Sequence, residues 1–253
     1  MLLVGSLSTQ AQNSTIRGDA NLDGKVNISD VTSLIDYLLT DTWGDEPVTP
    51  PDENDYEWVD LGLPSGTLWA TCNVGANSPE DFGDYFAWGE TVPKDVYDKS
   101  TYKWCIWSSA SNDYTLLSKY SYLTGKKELD QADDAAYINW GPAWRMPSWE
   151  QTEELSLCTI SWITMNGVKG LLLTGPNGNS IFLPAAGMRD GTIHQYKGLI
   201  GQYWSRTVDA ASSQDYWGAY FMEVAETSFT ANKYYGRGRW YGRPIRAVRA
   251  PLN

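Results

Sequence analysis

The residues best placed to do chemistry form an acidic loop near the N-terminus. Carboxylates and amides between residues 19 and 30 follow the spacing of a twelve-residue calcium loop, in which positions 1, 3, 5, 9 and 12 supply side-chain oxygens and position 7 a carbonyl. Gly24 at position 6 permits the sharp turn that lets these groups surround one ion. The predicted Ca²⁺ ligands are Asp19, Asn21, Asp23, the Lys25 carbonyl, Asn27 (through water) and Asp30.

A helix is predicted directly after this loop. Apolar residues recur there at helical spacing and the pattern ends near Thr40, which favours an amphipathic helix. Loop and helix together predict a small EF-hand-like unit, and the alternative is an acidic turn that caps the helix without metal. The apolar positions are Val31, Leu34, Ile35, Leu38 and Leu39.

Residues 16–41 resemble one calcium-binding repeat of a type I dockerin. The resemblance is carried by residues 18–27, by Asp30 and by residues 34–39. Dockerins normally pair two such repeats and dock onto a cohesin, often in assemblies of carbohydrate-active proteins. No second Asp-x-Asn-x-Asp-Gly follows in this sequence, so the resemblance implies calcium binding more strongly than docking onto a cohesin-like partner.

Charge and tryptophan content divide the chain in two. Residues 1–57 contain 11 acidic and 2 basic residues, whereas residues 58–253 contain 20 acidic and 17 basic residues and 12 of the 13 tryptophans. Residues 42–55 are rich in proline and in like charge, which favours an extended linker over a packed core. The sequence therefore predicts a small acidic unit, a linker and a large aromatic domain over residues 56–250.

The N-terminus predicts export. Residues 1–11 form a short apolar run that ends with Thr9 and Ala11, small residues at the −3 and −1 positions of a signal-peptidase site. We interpret this segment as a signal peptide remnant and expect a secreted or cell-surface protein; the alternative is a frayed N-terminus.

Composition excludes several kinds of partner. A net charge of −12 without a run of Lys or Arg argues against binding of nucleic acid or of an anionic membrane, because both require a basic surface. No stretch approaches the ~20 consecutive apolar residues that span a bilayer, so membrane insertion is not expected.

The large domain is predicted to consist of short strands with two helices. Pro64-Ser65-Gly66 and Gly175 to Asn179 each separate two strand-forming runs and predict two hairpins. Asp133 and Asp134 stand where carboxylates would cap a helix, and Ser148 forms a capping-box sequence with Gln151. The class is therefore α+β. Further strands are predicted at residues 203–207, 216–223, 229–235 and 244–249.

Six motifs follow one another along this domain. They occupy residues 59–70, 83–90, 144–148, 182–187, 203–205 and 243–246. In this order they resemble the Fibrobacter succinogenes major paralogous domain, a family of exported proteins in gut Bacteroidota. The motif arrangement is also similar to formylglycine-generating enzymes, which have a variant of the C-type lectin fold. The resemblance implies a C-type-lectin-like domain.

A catalytic constellation is hard to find. His194, the single histidine, lies in a polar segment without a neighbouring Ser or Cys motif and is expected in a surface loop. The pairs Asp133-Asp134 and Glu153-Glu154 would diverge on a helix, whereas glycoside hydrolysis needs two acids that face each other across a bond. We expect these acids to cap helices or to face solvent.

The remaining acids and the cysteines leave alternatives open. Asp81, Asp84 and Glu90 lie among aromatic residues, where they could form a metal or sugar site or the polar edge of packed rings. Formylglycine-generating enzymes use a cysteine pair late in the domain, whereas all three cysteines here precede residue 159, so that chemistry is not expected. Two of them could form a disulfide, or all could be reduced and buried. They are Cys72, Cys105 and Cys158.

Aromatic residues support binding rather than catalysis, since Trp and Tyr stack on sugar rings and anchor interfaces. The sequence predicts a non-catalytic recognition or adhesion protein that binds glycan or protein; the alternative is a component or enzyme of extracellular polysaccharide breakdown, tethered through its dockerin. Candidate contacts are Trp104, Trp107, Trp217, Tyr234, Tyr235 and Tyr241. A basic cluster expected to pair with acids comprises Arg237, Arg239, Arg243, Arg246 and Arg249.

Overall fold

A computed structural model describes residues 56–209 and 217–251 of the protein. They belong to the second of the two units into which the chain divides, Pro51–Asn253. The predicted signal peptide remnant, the calcium repeat with its ligands Asp19 to Asp30, and the linker lie outside the described residues.

The described elements are short and mostly extended. Two α-helices are present there, α1 (Ala135–Trp140) and α2 (Trp149–Glu154), with 3-10 turns at Tyr122–Thr124, Gln131–Asp133 and Leu155–Leu157. The strands are β1 (Trp58–Asp60), β2 (Leu68–Ala70), β3 (Cys105–Ser108), β4 (Asp113–Leu117), β5 (Trp144–Arg145), β6 (Thr159–Met165), β7 (Val168–Thr174), β8 (Ser180–Pro184), β9 (Met188–Asp190), β10 (Ile193–Gln195), β11 (Ile200–Val208), β12 (Gly218–Ala225), β13 (Ser228–Gly238) and β14 (Val248–Arg249).

These strands form antiparallel sheets. Two are three-stranded, with orders β6-β7-β8 and β11-β12-β13, and a four-stranded sheet has the order β1-β2-β14-β5. The pairs β3-β4 and β9-β10 complete the described set. The described part of the chain is thus strand-rich α+β, which confirms the predicted class in these general terms. Within it, no helix is long and apolar enough to cross a membrane.

Local signals located several elements correctly. The two predicted hairpins are β1-β2, with Trp58 opposite Ala70, and β7-β8, with Leu171 opposite Leu183. The predicted strand over residues 244–249 is wrong for most of its length, because only Val248–Arg249 is a strand. The residues before it instead join separate elements: the Ile245 carbonyl, for example, accepts a hydrogen bond from the Val74 N–H.

The predicted helix caps at Asp134 and Ser148 are confirmed. The Asp134 carboxylate accepts hydrogen bonds from the N–H groups of Ala136 and Tyr137 at 3.0 and 3.1 Å. Ser148 and Gln151 form a reciprocal capping box at the start of α2. Each cap satisfies N–H groups that the first turn of a helix leaves without partners.

The core is aromatic and contains buried arginines. Trp69, Trp88, Trp144 and Trp204 are fully buried, and so are the side chains of Arg239, Arg243 and Arg246. The expectation that the basic cluster pairs with acids is wrong for Arg239 and Arg246, since among the described residues their hydrogen bonds go to other acceptors.

Carbonyl oxygens surround the Arg246 guanidinium. It donates to the carbonyls of Ala70, Thr71 and Phe182 at 2.9–3.1 Å and to the Asn73 side chain at 2.9 Å. The planar fork of five N–H donors suits this role, because it reaches several acceptors at once while the charge stays solvated by dipoles. Arg246 thereby links β2 to β8.

Candidate ligand-binding cleft

A cleft of about 300 Å³ opens beside the β9-β10 hairpin and the adjoining part of the β11-β12 pair. Its lining combines acidic, amide and aromatic groups. The lining residues are Met188, Asp190, Gln195, Tyr196, Ile200, Gln202, Glu223, Tyr241 and Arg243. Its size lies at the small end of ligand sites, which run from ~300 to ~1,000 Å³.

The alternation of side chains along β11 aims two residues at the cleft. Ile200 and Gln202 share one face of the strand, and that face continues to the buried Trp204. The opposite face carries Tyr203, which packs in a separate apolar cluster with Met222. The β11-β12 pair therefore separates two apolar clusters, and one of its faces runs from a buried aromatic floor to a polar opening.

Two carboxylate–amide pairs line the cleft. Gln202 lies opposite Glu223 across β11 and β12, and its amide donates to the Glu223 carboxylate at 2.6 Å. On the neighbouring hairpin, the Gln195 amide donates to the Asp190 carboxylate at 2.9 Å. An ionised carboxylate has two oxygens and about four acceptor sites, so each pair retains capacity to accept hydrogen bonds from a ligand.

Arg243 forms the floor of the cleft. Its guanidinium lies over the rings of Trp204 and Phe221, at 4.0 and 4.5 Å from their centroids. Its Nε donates to the side-chain oxygen of Gln202 at 3.2 Å. Because that amide donates in turn to Glu223, the three side chains form one chain of hydrogen bonds with a fixed orientation.

Tyr196 stands at the mouth of the cleft and is 50% exposed. Its backbone has φ +60°, and its carbonyl accepts hydrogen bonds from the N–H groups of Leu199 and Ile200. A left-handed conformation is uncommon for a bulky residue. The tight turn thus holds an aromatic ring at the protein surface, next to polar groups.

The aromatic candidates from the sequence are scattered. Tyr241 lines the cleft, whereas Trp107 is 50% exposed on the β3-β4 hairpin. Trp217 packs against Trp240, and Lys103 lies over the Trp104 ring. The side chains of Tyr234 and Tyr235 lie outside the described parts. Tyr241 is therefore the one member of this set whose described side chain reaches the cleft.

His194 lies in strand β10 and is half-buried, so its predicted place in a surface loop is wrong. Its Nε2 lies 2.7 Å from the Ala186 carbonyl and 3.0 Å from the Tyr85 hydroxyl. Burial lowers the pKa of this imidazole, and the positive charges of Arg189 and Lys197 lower it further. Its side chain does not line the cleft.

The acids near the aromatic edge make contacts with neighbouring groups of the protein. Glu90 forms an ion pair with Lys94 at 2.7 Å and accepts a hydrogen bond from the backbone N–H of Lys103. Asp81 accepts the Asn77 N–H at 3.4 Å, and burial raises the pKa of Asp84. Over residues 56–209 and 217–251, no group of three His, Cys, Asp or Glu side chains is arranged to hold a metal ion. A sugar site and a polar edge around packed rings stay alternative predictions for these acids.

The acid pairs considered for hydrolysis serve the fold. Asp134 caps α1 and also pairs with Arg145 at 2.8 Å. Asp133 is buried instead of capping a helix, and it accepts hydrogen bonds from Lys119 and from the Tyr120 hydroxyl. Glu154 accepts from the Ser65 hydroxyl at 2.6 Å. All three cysteines are free thiols, but only Cys158 is buried, so the alternative of three reduced and buried cysteines is correct for the redox state and wrong for the burial of Cys72 and Cys105.

Sequence reasoning missed most of the cleft. Gly191-Thr192 joins β9 to β10 in a two-residue turn, and Gly at the first position is a hairpin signal that would have placed Asp190 and Gln195 on facing strands. A second signal is Glu223, a single carboxylate in the apolar strand Gly218–Ala225. A charge inside such a strand costs free energy unless it has partners and therefore marks a polar site.

No family model, no curated protein and no solved structure matches this chain. The assignment of the cleft rests on its own geometry.

Proposed function

We propose that this protein is a non-catalytic recognition protein that binds a carbohydrate in the cleft. The observation that carries the proposal is the combination of two carboxylate–amide pairs with the exposed Tyr196 ring. Sugar hydroxyls donate to carboxylates and exchange hydrogen bonds with amides. The C–H face of a sugar ring packs on an aromatic ring. The cleft supplies all three partners.

A carbohydrate suits this cleft better than a protein surface does. Protein interfaces bury about 800 Å² per partner, whereas this site is a concave opening of about 300 Å³. The resemblance to C-type-lectin-like domains and the predicted export support the same function. In this proposal, the protein works at the cell surface or outside the cell.

The N-terminal repeat is proposed to bind Ca²⁺ and to tether the domain to an assembly partner. Its donors are carboxylates, amides and a carbonyl, the oxygen ligands that Ca²⁺ prefers. We expect Asp23→Ala to remove most of the Ca²⁺ affinity in calorimetric titration and to leave the melting of the large domain unchanged. Equal titration curves for the variant and the parent would overturn this part of the proposal.

The sugar proposal is tested with the full chain and a panel of host and plant polysaccharides. We expect retention of at least one polysaccharide and a three- to tenfold weaker affinity for Tyr196→Gly, the equivalent of roughly 0.7–1.4 kcal/mol for a lost stacking contact. Glycine accepts the positive φ of this position. Trp107→Gly, which removes an equally exposed ring elsewhere, is the control and should bind like the parent.

Hydrolysis is the second candidate function, because Asp190 and Glu223 place two carboxylates in one cleft. Glycosidases use two such groups on either side of the scissile bond. Release of reducing ends by the parent chain, abolished by Glu223→Gln, would replace recognition with catalysis. Retention without release supports recognition, and a failure to retain any polysaccharide contradicts both candidates.

A further inference from the structure

Strand β6 forms an edge of the β6-β7-β8 sheet and is independent of the cleft. It pairs with β7 over seven residues without a register break, from Thr159 opposite Thr174 to Met165 opposite Val168. Among the described strands, β7 is its single partner. One side of β6 therefore has no strand beside it within the described structure.

The turn after β6 determines which backbone groups face this open side. Asn166 and Gly167 have φ values of +47° and +84° and form a two-residue turn. In such a hairpin the flanking residues, Met165 and Val168, exchange both of their hydrogen bonds, and the pattern then alternates along the ladder. Ile160, Trp162 and Thr164 consequently direct their N–H and C=O groups away from β7.

The side chains of Ile160 and Trp162 continue the apolar core to the edge. Ile160 lies opposite Leu173 and Trp162 opposite Leu171, and both leucines are fully buried. Ile160 is nevertheless 39% exposed, and Trp162 packs against the core while remaining partly exposed. A strand added beside β6 would cover this surface and extend the core face.

Nothing in the sequence of β6 blocks such an addition. Proteins protect edge strands with charged residues, proline or bulges, and the segment Thr159–Met165 contains none of these. Other edges are protected: β8 ends in Pro184, and β13 has a register shift against β12. The unprotected edge is specific to β6 in this comparison.

We propose that β6 pairs antiparallel with β6 of a second copy of this chain, centred on Trp162, to form a continuous six-stranded sheet. Each copy would donate three N–H groups and accept at three carbonyls. The two-fold axis places Ile160 opposite Thr164 twice, and a symmetric interface of this kind closes on itself. Because the segment Thr159–Met165 carries no charge, two copies of it pair without like charges facing each other across the strands. The two-fold register matches the outward donors and acceptors of one copy to those of the other, which favours a second copy as the occupant.

Sedimentation velocity of the full chain at micromolar concentration tests the assembly. We expect a dimer for the parent and monomers for Ile160→Lys and for Thr164→Pro, which removes an outward N–H that the β7 ladder does not use. Ile193→Lys, which changes a 63% exposed isoleucine on another strand, should remain a dimer. Circular dichroism of all variants should match the parent, whereas the monomeric variants should lack the concentration dependence that dimerisation gives to the melting temperature of the parent.

Mixed cross-linking tests the register. Residues that exchange both hydrogen bonds across antiparallel strands have Cα atoms about 5.5 Å apart, within disulfide range. Ile160→Cys mixed with Thr164→Cys should form a cross-linked dimer after mild oxidation, whereas either variant alone should not. A monomeric parent, or a dimer that survives both edge substitutions and fails to cross-link in the mixture, would overturn the proposal.

Discussion

The two three-stranded sheets of the large domain are built in opposite ways. The β6-β7-β8 sheet keeps one register along both of its ladders. The β11-β12-β13 sheet changes register twice, between Trp204 and Val208 and between Ala219 and Phe221. The regular sheet presents an open edge, whereas the irregular sheet carries the cleft on one face.

This difference indicates why the proposed binding site lies on the irregular sheet. Register shifts bend a strand, increase its twist and redirect side chains. Here they adjoin Trp204 and Phe221, the two rings over which Arg243 lies, and Arg243 orients Gln202 in the cleft. The regular ladder has no register shift, and in the described structure the backbone N–H and C=O groups on the outer side of its edge strand β6 have no partner strand.

The largest effect is expected from removing Arg246, which links β8 of the regular sheet to β2 of the four-stranded sheet. Arg246→Met leaves the carbonyls of Ala70, Thr71 and Phe182 without their donor, and each unsatisfied buried acceptor costs about 1–3 kcal/mol. We expect the free energy of unfolding to fall by about 4 kcal/mol in urea denaturation at pH 7. Arg249→Met, at a partly exposed position, is the control and should cost under about 1 kcal/mol. Equal midpoints for the two variants would contradict this role.

The next effect concerns the contact between the β6-β7-β8 sheet and the β11-β12-β13 sheet. A Cβ on Gly201 of β11 would lie 2.6 Å from the Pro184 carbonyl oxygen of β8. Gly201→Ala should therefore destabilise the domain by about 2 kcal/mol through overpacking. Gly178→Ala, which meets no atom within 4 Å but has φ +87°, should cost only about 1 kcal/mol. Thermal unfolding of both variants gives the comparison, and a neutral Gly201→Ala would show that the sheets separate easily.

Low pH should destabilise the domain through Asp133. Burial opposes ionisation of Asp133, but the hydrogen bonds from Lys119 and Tyr120 outweigh it and hold the pKa of Asp133 below its usual range. A depressed pKa contributes stability that is present above the ordinary Asp value of about 3.9 and is lost as pH falls through the folded value.

We expect Asp133→Asn to cost roughly 1–2 kcal/mol at pH 7, because charge-assisted hydrogen bonds are lost. Below about pH 4 the parent should approach the variant in stability. Urea unfolding of both proteins from pH 7 to pH 3 measures this difference. A constant gap across the whole range would assign the effect to packing.

The smallest effect belongs to the single histidine. Burial lowers the pKa of His194, so the unfolded chain binds its proton first as pH falls. Stability should therefore decline as pH drops below about 6.5, the unfolded value, and level off below the folded pKa. The imidazole resonances in NMR should titrate with a midpoint below about 6.5, and His194→Gln should remove this slope. A midpoint above that value would contradict the burial argument.

The sequence predicted those features that neighbouring residues determine. The two hairpins with turns at Pro64-Ser65-Gly66 and Asn177-Gly178, and the caps of Asp134 and Ser148, depend on contacts within a few positions. The strand β6 was missed although Asn166-Gly167 is a strong hairpin signal. Its mixture of Thr, Ile, Ser and Trp shows neither a strict alternation nor a uniformly apolar run.

The cleft could not be predicted because long-range register creates it. Asp190, Glu223 and Arg243 belong to three separate segments, and nothing in the composition of any one segment indicates the other two. The buried arginines show the same limit of sequence-based prediction, since Arg246 donates its hydrogen bonds to carbonyls that are distant in the sequence. A sequence pattern suggests that a charge needs a partner, and only the fold reveals that the partner is backbone.

The free thiols have a consequence for how the domain matures. Burial raises the pKa of Cys105 and of Cys158 to about 11 and also raises that of Cys72. The reactive thiolate is scarce at neutral pH for such groups, so they resist oxidation and alkylation. The domain can therefore fold without a thiol oxidase or a disulfide isomerase. Its stability should not change with the redox potential of the compartment in which it folds.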